Sequence, residues 1–201
     1  MNATFDRNLI CQHVEMLHSL AAGVEGNLII GVYGEDPMRK DAKGNFGVMI
    51  HSQVLKFNVG DVDGMVGGIM AYDGIPHANV YAPLHVMRRD LGPKKRGTKQ
   101  DIRAVLGLVA DMDADTGKVG KLPFEPSFEI ESSPGNSQPA ILFEKPIGVA
   151  EAEPLAKALQ AATVPTPERE TLSTSGVSPV PSTGLVPKKC MSGIGLKIPQ
   201  M

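Results

Sequence analysis

The chain has 201 residues, 42% of them hydrophobic, with a formal net charge of −2. That is room for one ordinary domain with a packed core and some material left over. The small negative charge excludes wholesale electrostatic attraction to nucleic acid, so any such attraction must come from local clustering. Aromatic residues make up 4% and Trp is absent, so the core is expected to be aliphatic and Met-based. No run reaches the ~18 continuous apolar residues of a membrane helix, and the N-terminus does not resemble a secretory signal. Cys11 and Cys190 lie far apart and form no metal or redox motif. The expectation is a soluble, cytoplasmic protein with free thiols and no membrane partner.

In chain order, Asp6 to Ala22 opens with an acceptable cap and repeats Leu9, Ile10, His13, Val14, Leu17 and Leu20 at helical spacing. Asn27 to Tyr33 reads as a strand, Gly34 to Asn45 as a polar turn-like stretch, and Phe46 to Ile50 as a second extended run. Phe57 to Tyr72 is rich in glycine, yet Val62, Met65, Val66 and Ile69 fall on one face, which predicts a weak helix. Asn79 to Val86 predicts a strand with one polar face. Gly148 to Thr163 predicts an Ala-rich helix with acidic residues in its first turn, where the helix dipole favours them; Pro154 sits early enough to be tolerated.

Two segments carry chemistry. From Arg88 to Arg103 the chain turns basic, with Arg88, Arg89, Lys94, Lys95, Arg96, Lys99 and Arg103 among Gly and Pro. On composition this is a solvated loop; functionally it is a mobile segment for the phosphates of a nucleotide or template. Directly after it, an apolar strand from Val105 to Ala110 ends in Asp111, Asp113 and Asp115. Side chains two apart on an extended chain share a face, so Asp111 and Asp113 are expected to project together. Adjacent carboxylates repel unless a cation lies between them, and that cost points to a metal. A Pro-rich loop, a strand from Ser127 to Ile130, a polar turn from Ser132 to Ser137 and a strand from Pro139 to Phe143 follow. His77 and His85 have no partner at a recognisable spacing and read as structural or surface residues.

Closely spaced aspartates serve three chemistries. An EF-hand loop counted from Asp111 needs Gly and Glu where the chain has Thr116 and Leu122, so that reading fails. A phosphatase of the haloacid-dehalogenase type wants Thr or Val where Asp115 stands, and a strand nearer the start of the domain. Two-metal nucleotidyl transfer uses carboxylate-held cations against nucleotide phosphates. A solvated turn at a strand end remains the plain reading of the aspartates taken alone.

The order strand–DxD, loop, strand–SSPGNSQ–strand, Ala-rich helix resembles the RepB-like primases of plasmids and phages, in the archaeo-eukaryotic primase superfamily. The resemblance runs through NVYAPLHVMRRD, KKRGTKQDIRAVLGLVADMDAD and PSFEIESSPGNSQPAILFEKPI. It implies an α+β fold with a mainly antiparallel sheet flanked by helices, over residues 1–163. It implies Asp111 and Asp113 as catalytic ligands of Mg2+ or Mn2+, with no role assigned to Asp115. Much of the superfamily has Ser-x-His as its second motif. Here SPGNSQ takes that place, with Ser133, Gly135, Asn136 and Gln138 as nucleotide contacts; a neutral amide donates hydrogen bonds to phosphate but gains no charge. Arg88, Arg89, Lys94, Lys95 and Arg96 would meet nucleic acid. The implied partners are a single-stranded DNA template, nucleoside triphosphates and a replicative helicase. A non-catalytic DNA-binding accessory fragment is the alternative, and a metal-dependent phosphatase the third reading.

Such primases carry a third motif after the Ala-rich helix: an acidic residue, then a segment resembling W-R-x-P-G-T-L-N. At Val164 the chain instead changes character, and 19 of its last 38 residues are Pro, Ser, Thr or Gly, a composition expected to be disordered. Codons able to encode Val164 to Thr171, read one nucleotide earlier, permit GADSGTGD. Those for Val177 to Leu185 permit R-V-P-G-T-L-N-W-P. The expectation is an out-of-frame translation of the third motif over 164–201, which leaves this polypeptide with little or no polymerase activity.

Overall fold

Asp6 starts the first helix by accepting hydrogen bonds from the backbone N–H groups of Asn8 and Leu9, at 2.9 and 3.2 Å, which satisfies donors that have no partner within the helix. The computed structural model describes residues 5–110, 112, 122, 124–133 and 136–163. The helix, α1 (Arg7–Leu20), buries the predicted stripe of Ile10, His13, Val14 and Leu17. Two long strands follow, β1 (Asn27–Lys40) and β2 (Phe46–Asn58). Here the structure corrects the sequence reading: Gly34 to Asn45 is not one polar turn. Strand β1 continues to Lys40, because pairing with β2 satisfies its backbone whatever the polarity of its side chains. The turn proper is held by Asp41, whose carboxylate accepts from the N–H groups of Lys43 and Asn45.

The glycine-rich stretch does form a helix, α2 (Val62–Met70), capped by Asp61. A Cβ on Gly68 would stand 2.5 Å from the Phe57 ring, so the glycine is what lets this helix lie close on β2. The predicted strand from Asn79 to Val86 is two strands. Pro83 has no N–H for a ladder, and the chain divides around it into β3 (Asn79–Tyr81), which pairs with β1, and β4 (His85–Met87), which pairs with β5. Strand β5 (Ile102–Val109) starts three residues earlier than expected. Strands β6 (Phe128–Ser133) and β7 (Asn136–Ile147) form a hairpin in which Ser133 pairs with Asn136. Helix α3 (Val149–Thr163) closes the described chain, with the Gly148 N–H donating to the Glu151 carboxylate at 3.2 Å.

All seven strands join one sheet in the order β2-β1-β4-β5-β7-β6, with β3 also against β1, and every pairing is antiparallel. The fold is therefore α+β, with a mainly antiparallel sheet flanked by helices. Its larger core lies between one face of the sheet and α1 and α2, built on Leu17, Ile30, Val32, Met65, Val86 and Leu106. A smaller one lies on the opposite face, where Val105, Leu108 and Ala110 meet Ala152 and Leu159 of α3.

One irregularity decides which side chains face where. The register of β5 against β7 shifts between Val105 and Gly107. Ala104 and Leu106 belong to the α1/α2 core, whereas Leu108, Ala110 and Met112 belong to the α3 side. Gly107 sits at this bulge against β7: a Cβ there would be 2.5 Å from the Ile141 carbonyl oxygen and 3.1 Å from Leu142 Cα.

Candidate functional site

The site singled out by sequence lies where β5 runs out beside the β6–β7 hairpin. The Ala110 N–H donates to the Pro139 carbonyl at 2.9 Å, and Met112 and Ser137 exchange two backbone hydrogen bonds at 3.0 Å each. Thus the backbone on either side of position 111 is fastened to the strand that carries SPGNSQ. Asp111, Asp113 and Gly135 lie outside the described residues, as does Asp115. Ser133 and Asn136 are the last pair of the hairpin ladder. Gln138 is opposite Ile130 and 5% exposed. Ile130 and Ala140 both pack in the α1/α2 core, and side chains two apart share a face, so Gln138 projects to that side of the sheet.

Among the described residues no group of three or more His, Cys, Asp or Glu side chains could hold a metal. The only residues proposed for one are Asp111 and Asp113, whose hard oxygen donors match Mg2+ or Mn2+ rather than a softer ion.

The basic segment is more structured than a solvated loop. Arg88 Nε meets Asp101 Oδ1 at 2.8 Å and Arg88 Nη1 meets Asp90 Oδ2 at 3.4 Å, while Arg89 reaches Glu25 at 3.5 Å. Asp101 also accepts from the N–H and hydroxyl of Thr98; these bonds, then the Arg88 charge, hold its carboxyl below the usual range. Lys56 Nζ donates to the carbonyls of Leu91, at 2.9 Å, and Gly92. Leu91 packs with Ile29 and Met87. Lys99 is ion-paired with Glu153 of α3. Lys94, Lys95 and Arg96 remain exposed to solvent. Arg96 acts on His85, whose pKa burial and then this charge push down to about 4, so that imidazole is neutral.

Arg88 lies at the opposite end of β5 from the Met112–Ser137 joint. The Arg88 N–H donates to the Asp101 carbonyl at 2.8 Å, which places Arg88 at the start of β5. The aspartate segment follows its far end, ~25 Å away at strand spacing. Arg89 and Arg103 line a cleft of about 540 Å³ at the near end, together with Val24, Glu25 and Asp90. The sequence sets the two segments side by side; the eight residues of β5 hold them apart.

Two groups escape a reading of the sequence. His13 counts there only as part of an apolar stripe, yet it is a buried, neutral histidine. Tyr33 and Tyr81 form a ring pair, with centroids 5.6 Å apart, and nothing in their spacing of 48 positions connects them. No helix among the described residues is long and apolar enough to cross a membrane. Comparisons with protein-family models, with curated proteins and with solved structures find no match.

Proposed function

We propose that this chain derives from a primase-type nucleotidyltransferase that starts replication of a plasmid, phage or other mobile element. The observation that carries the reading is the backbone joint between Met112 and Ser137: the two motifs on which the resemblance rests are hydrogen-bonded neighbours at one end of the sheet. Met112 packs on the α3 side, so the reading requires Asp111 and Asp113 on the opposite face, the one that bears Gln138. Asp111 and Asp113 would hold Mg2+ or Mn2+, and the bound cation supplies charge neutralisation for a triphosphate. Gln138 donates its amide hydrogens toward phosphate oxygens, and Ser133, Gly135 and Asn136 complete the nucleotide contacts. The cations at the near end of β5 are too far away to touch the same triphosphate. They suit the phosphates of a single-stranded template that runs the ~25 Å length of β5 between the two places.

The third acidic group belongs to the alternative reading frame beyond Thr163, so the polypeptide as written has little or no polymerase activity. Reading the coding DNA across this region tests the frame. Primer synthesis on a single-stranded template, with Mg2+ or Mn2+, tests the enzyme. The frame-restored protein is expected to make primers, and its Asp111→Asn, Asp113→Asn variant to make none. Failure of the restored protein with template binding intact would favour a DNA-binding accessory fragment. Hydrolysis of a generic phosphomonoester would favour a phosphatase.

A further inference from the structure

Among the described residues, the face of the sheet opposite α1 and α2 is covered only in parts. Helix α3 packs against β5 and β7 through Val105, Leu108, Ile141 and Phe143, and the turn at Leu91 covers Ile29, Met87 and Val54. Between them, along β1 and β3, lie Gly31, Tyr33 and Tyr81. Leu28, Ile30, Val32 and Val80 all enter the α1/α2 core, so alternation turns Gly31, Tyr33 and Tyr81 to this second face. The next strand across, β4, places His85 there by the same rule, since Leu84 and Val86 point the other way.

The Tyr33 ring does not stand up from the sheet. A Cβ on Gly31 would lie 2.6 Å from Tyr33 Cε2 and 3.3 Å from both Cζ and Oη, so the ring leans across the glycine and covers it. Gly31 is buried as a result, while both tyrosines remain partly exposed. Tyr81 is the direct partner of Gly31 in the ladder, and its ring abuts that of Tyr33 at a tilt of 58°. The outcome is an aromatic surface lying along an open sheet. Exposed Arg96 acts on His85 of the same face, and Lys94 and Lys95 precede it in the chain. Exposed Glu35 lies on the Tyr81 side: burial first, and then the Glu35 charge, raise the tyrosine's pKa. Every nucleobase offers a π-face, and open sheets with flat aromatics beside cations are a general way to hold single strands.

We infer that Tyr33 and Tyr81 form a stacking platform for single-stranded nucleic acid, with the phosphates toward Arg96 and away from Glu35. This surface is on the opposite face from Gln138, and it stands whether or not the chain descends from a polymerase.

The chain has three tyrosines and no tryptophan, and Tyr72 is bonded to Gln53 elsewhere, so intrinsic tyrosine emission reads the platform directly. Titration of the full chain with single-stranded oligothymidylate is expected to quench most of that emission. Tyr33→Leu or Tyr81→Leu should weaken binding about 5- to 150-fold, the range of one lost base–aromatic stack, while Tyr33→Phe binds as the parent does. Gly31→Ala, which displaces the ring, should match Tyr33→Leu; Glu35→Gln should tighten binding; Arg96→Ala should lower the salt slope by about one. Unchanged emission at saturating oligonucleotide overturns the inference without any variant. So does wild-type affinity in both leucine variants, or equal affinity for duplex DNA. Retained oligothymidylate binding by Asp111→Asn, Asp113→Asn protein separates this site from the priming site.

Discussion

His13 offers a test of the α1 packing in which the sign and the size both follow from burial. Its side chain is 2% exposed and meets the Phe128 ring edge-on, with centroids 5.8 Å apart. Its Nε2 has no hydrogen-bond partner among the described residues. Burial pushes the pKa from 6.5 down to about 4, because the imidazolium would lose its water and gain nothing in return. The folded chain therefore keeps this ring neutral where the unfolded chain protonates it. The stability involved is fully present above pH 6.5, is lost as pH falls toward 4, and changes no further below that. A tenfold difference in proton affinity between the two states is worth about 1.4 kcal/mol, so the loss reaches about 2 kcal/mol at pH 5 and about 3 kcal/mol at pH 4. His13→Leu removes the titration. At pH 7.5 it should be close to neutral: it relieves an unsatisfied buried nitrogen, about 1–3 kcal/mol, and gives up the ring contact, about 0.5–1.5 kcal/mol. Urea denaturation of both proteins at pH 7.5 and pH 5 isolates the effect, since carboxylates and the other histidines are common to both. The variant should gain about 2 kcal/mol on the parent between the two conditions. Equal pH slopes would refute the reasoning.

Gly107→Ala should cost about 1–3 kcal/mol by urea denaturation, because its Cβ meets the backbone of Ile141 and Leu142 rather than a movable side chain. Leu91→Ala, at 9% exposure, should cost about 2–3 kcal/mol. It should also raise amide exchange through the basic segment, which Leu91 anchors to Ile29 and Met87. Asp111→Asn with Asp113→Asn should abolish Mn2+ binding by calorimetry without lowering the melting temperature in metal-free buffer, since the change removes carboxylate repulsion. Unchanged manganese affinity would leave the strand end as an ordinary solvated turn.

The helices are the most legible part of the sequence. The α1 stripe repeats at helical spacing and begins at a true cap, and in α2 a four-residue apolar face outweighs the glycines. Strand limits are less legible, for a physical reason. Glu35 to Lys40 has the composition of a turn, yet it is extended because β2 supplies its backbone partners, and cross-strand pairing leaves no mark in a local window. Pro83 can be read as a break, since it removes a ladder donor, but that the chain beyond it adds β5 as a partner while keeping β1 cannot. The bridge between Met112 and Ser137 joins segments 25 positions apart, and no local pattern in either announces it. The distance from Arg88 to that place is no more legible: adjacency in sequence conceals a strand's length.

The bulge at Gly107 decides which face of the sheet each residue at the end of β5 meets. Without it, strict alternation from Ala104 and Leu106 would have carried Leu108, Ala110 and Met112 to the α1/α2 face as well. Position 112 would then share a side with Gln138. With the register shifted, Met112 packs on the α3 side, away from the face where Ile130 and Ala140 pack and to which Gln138 projects. A one-residue slip exchanges the two faces of a strand, so this irregularity settles on which side of the sheet Met112 packs.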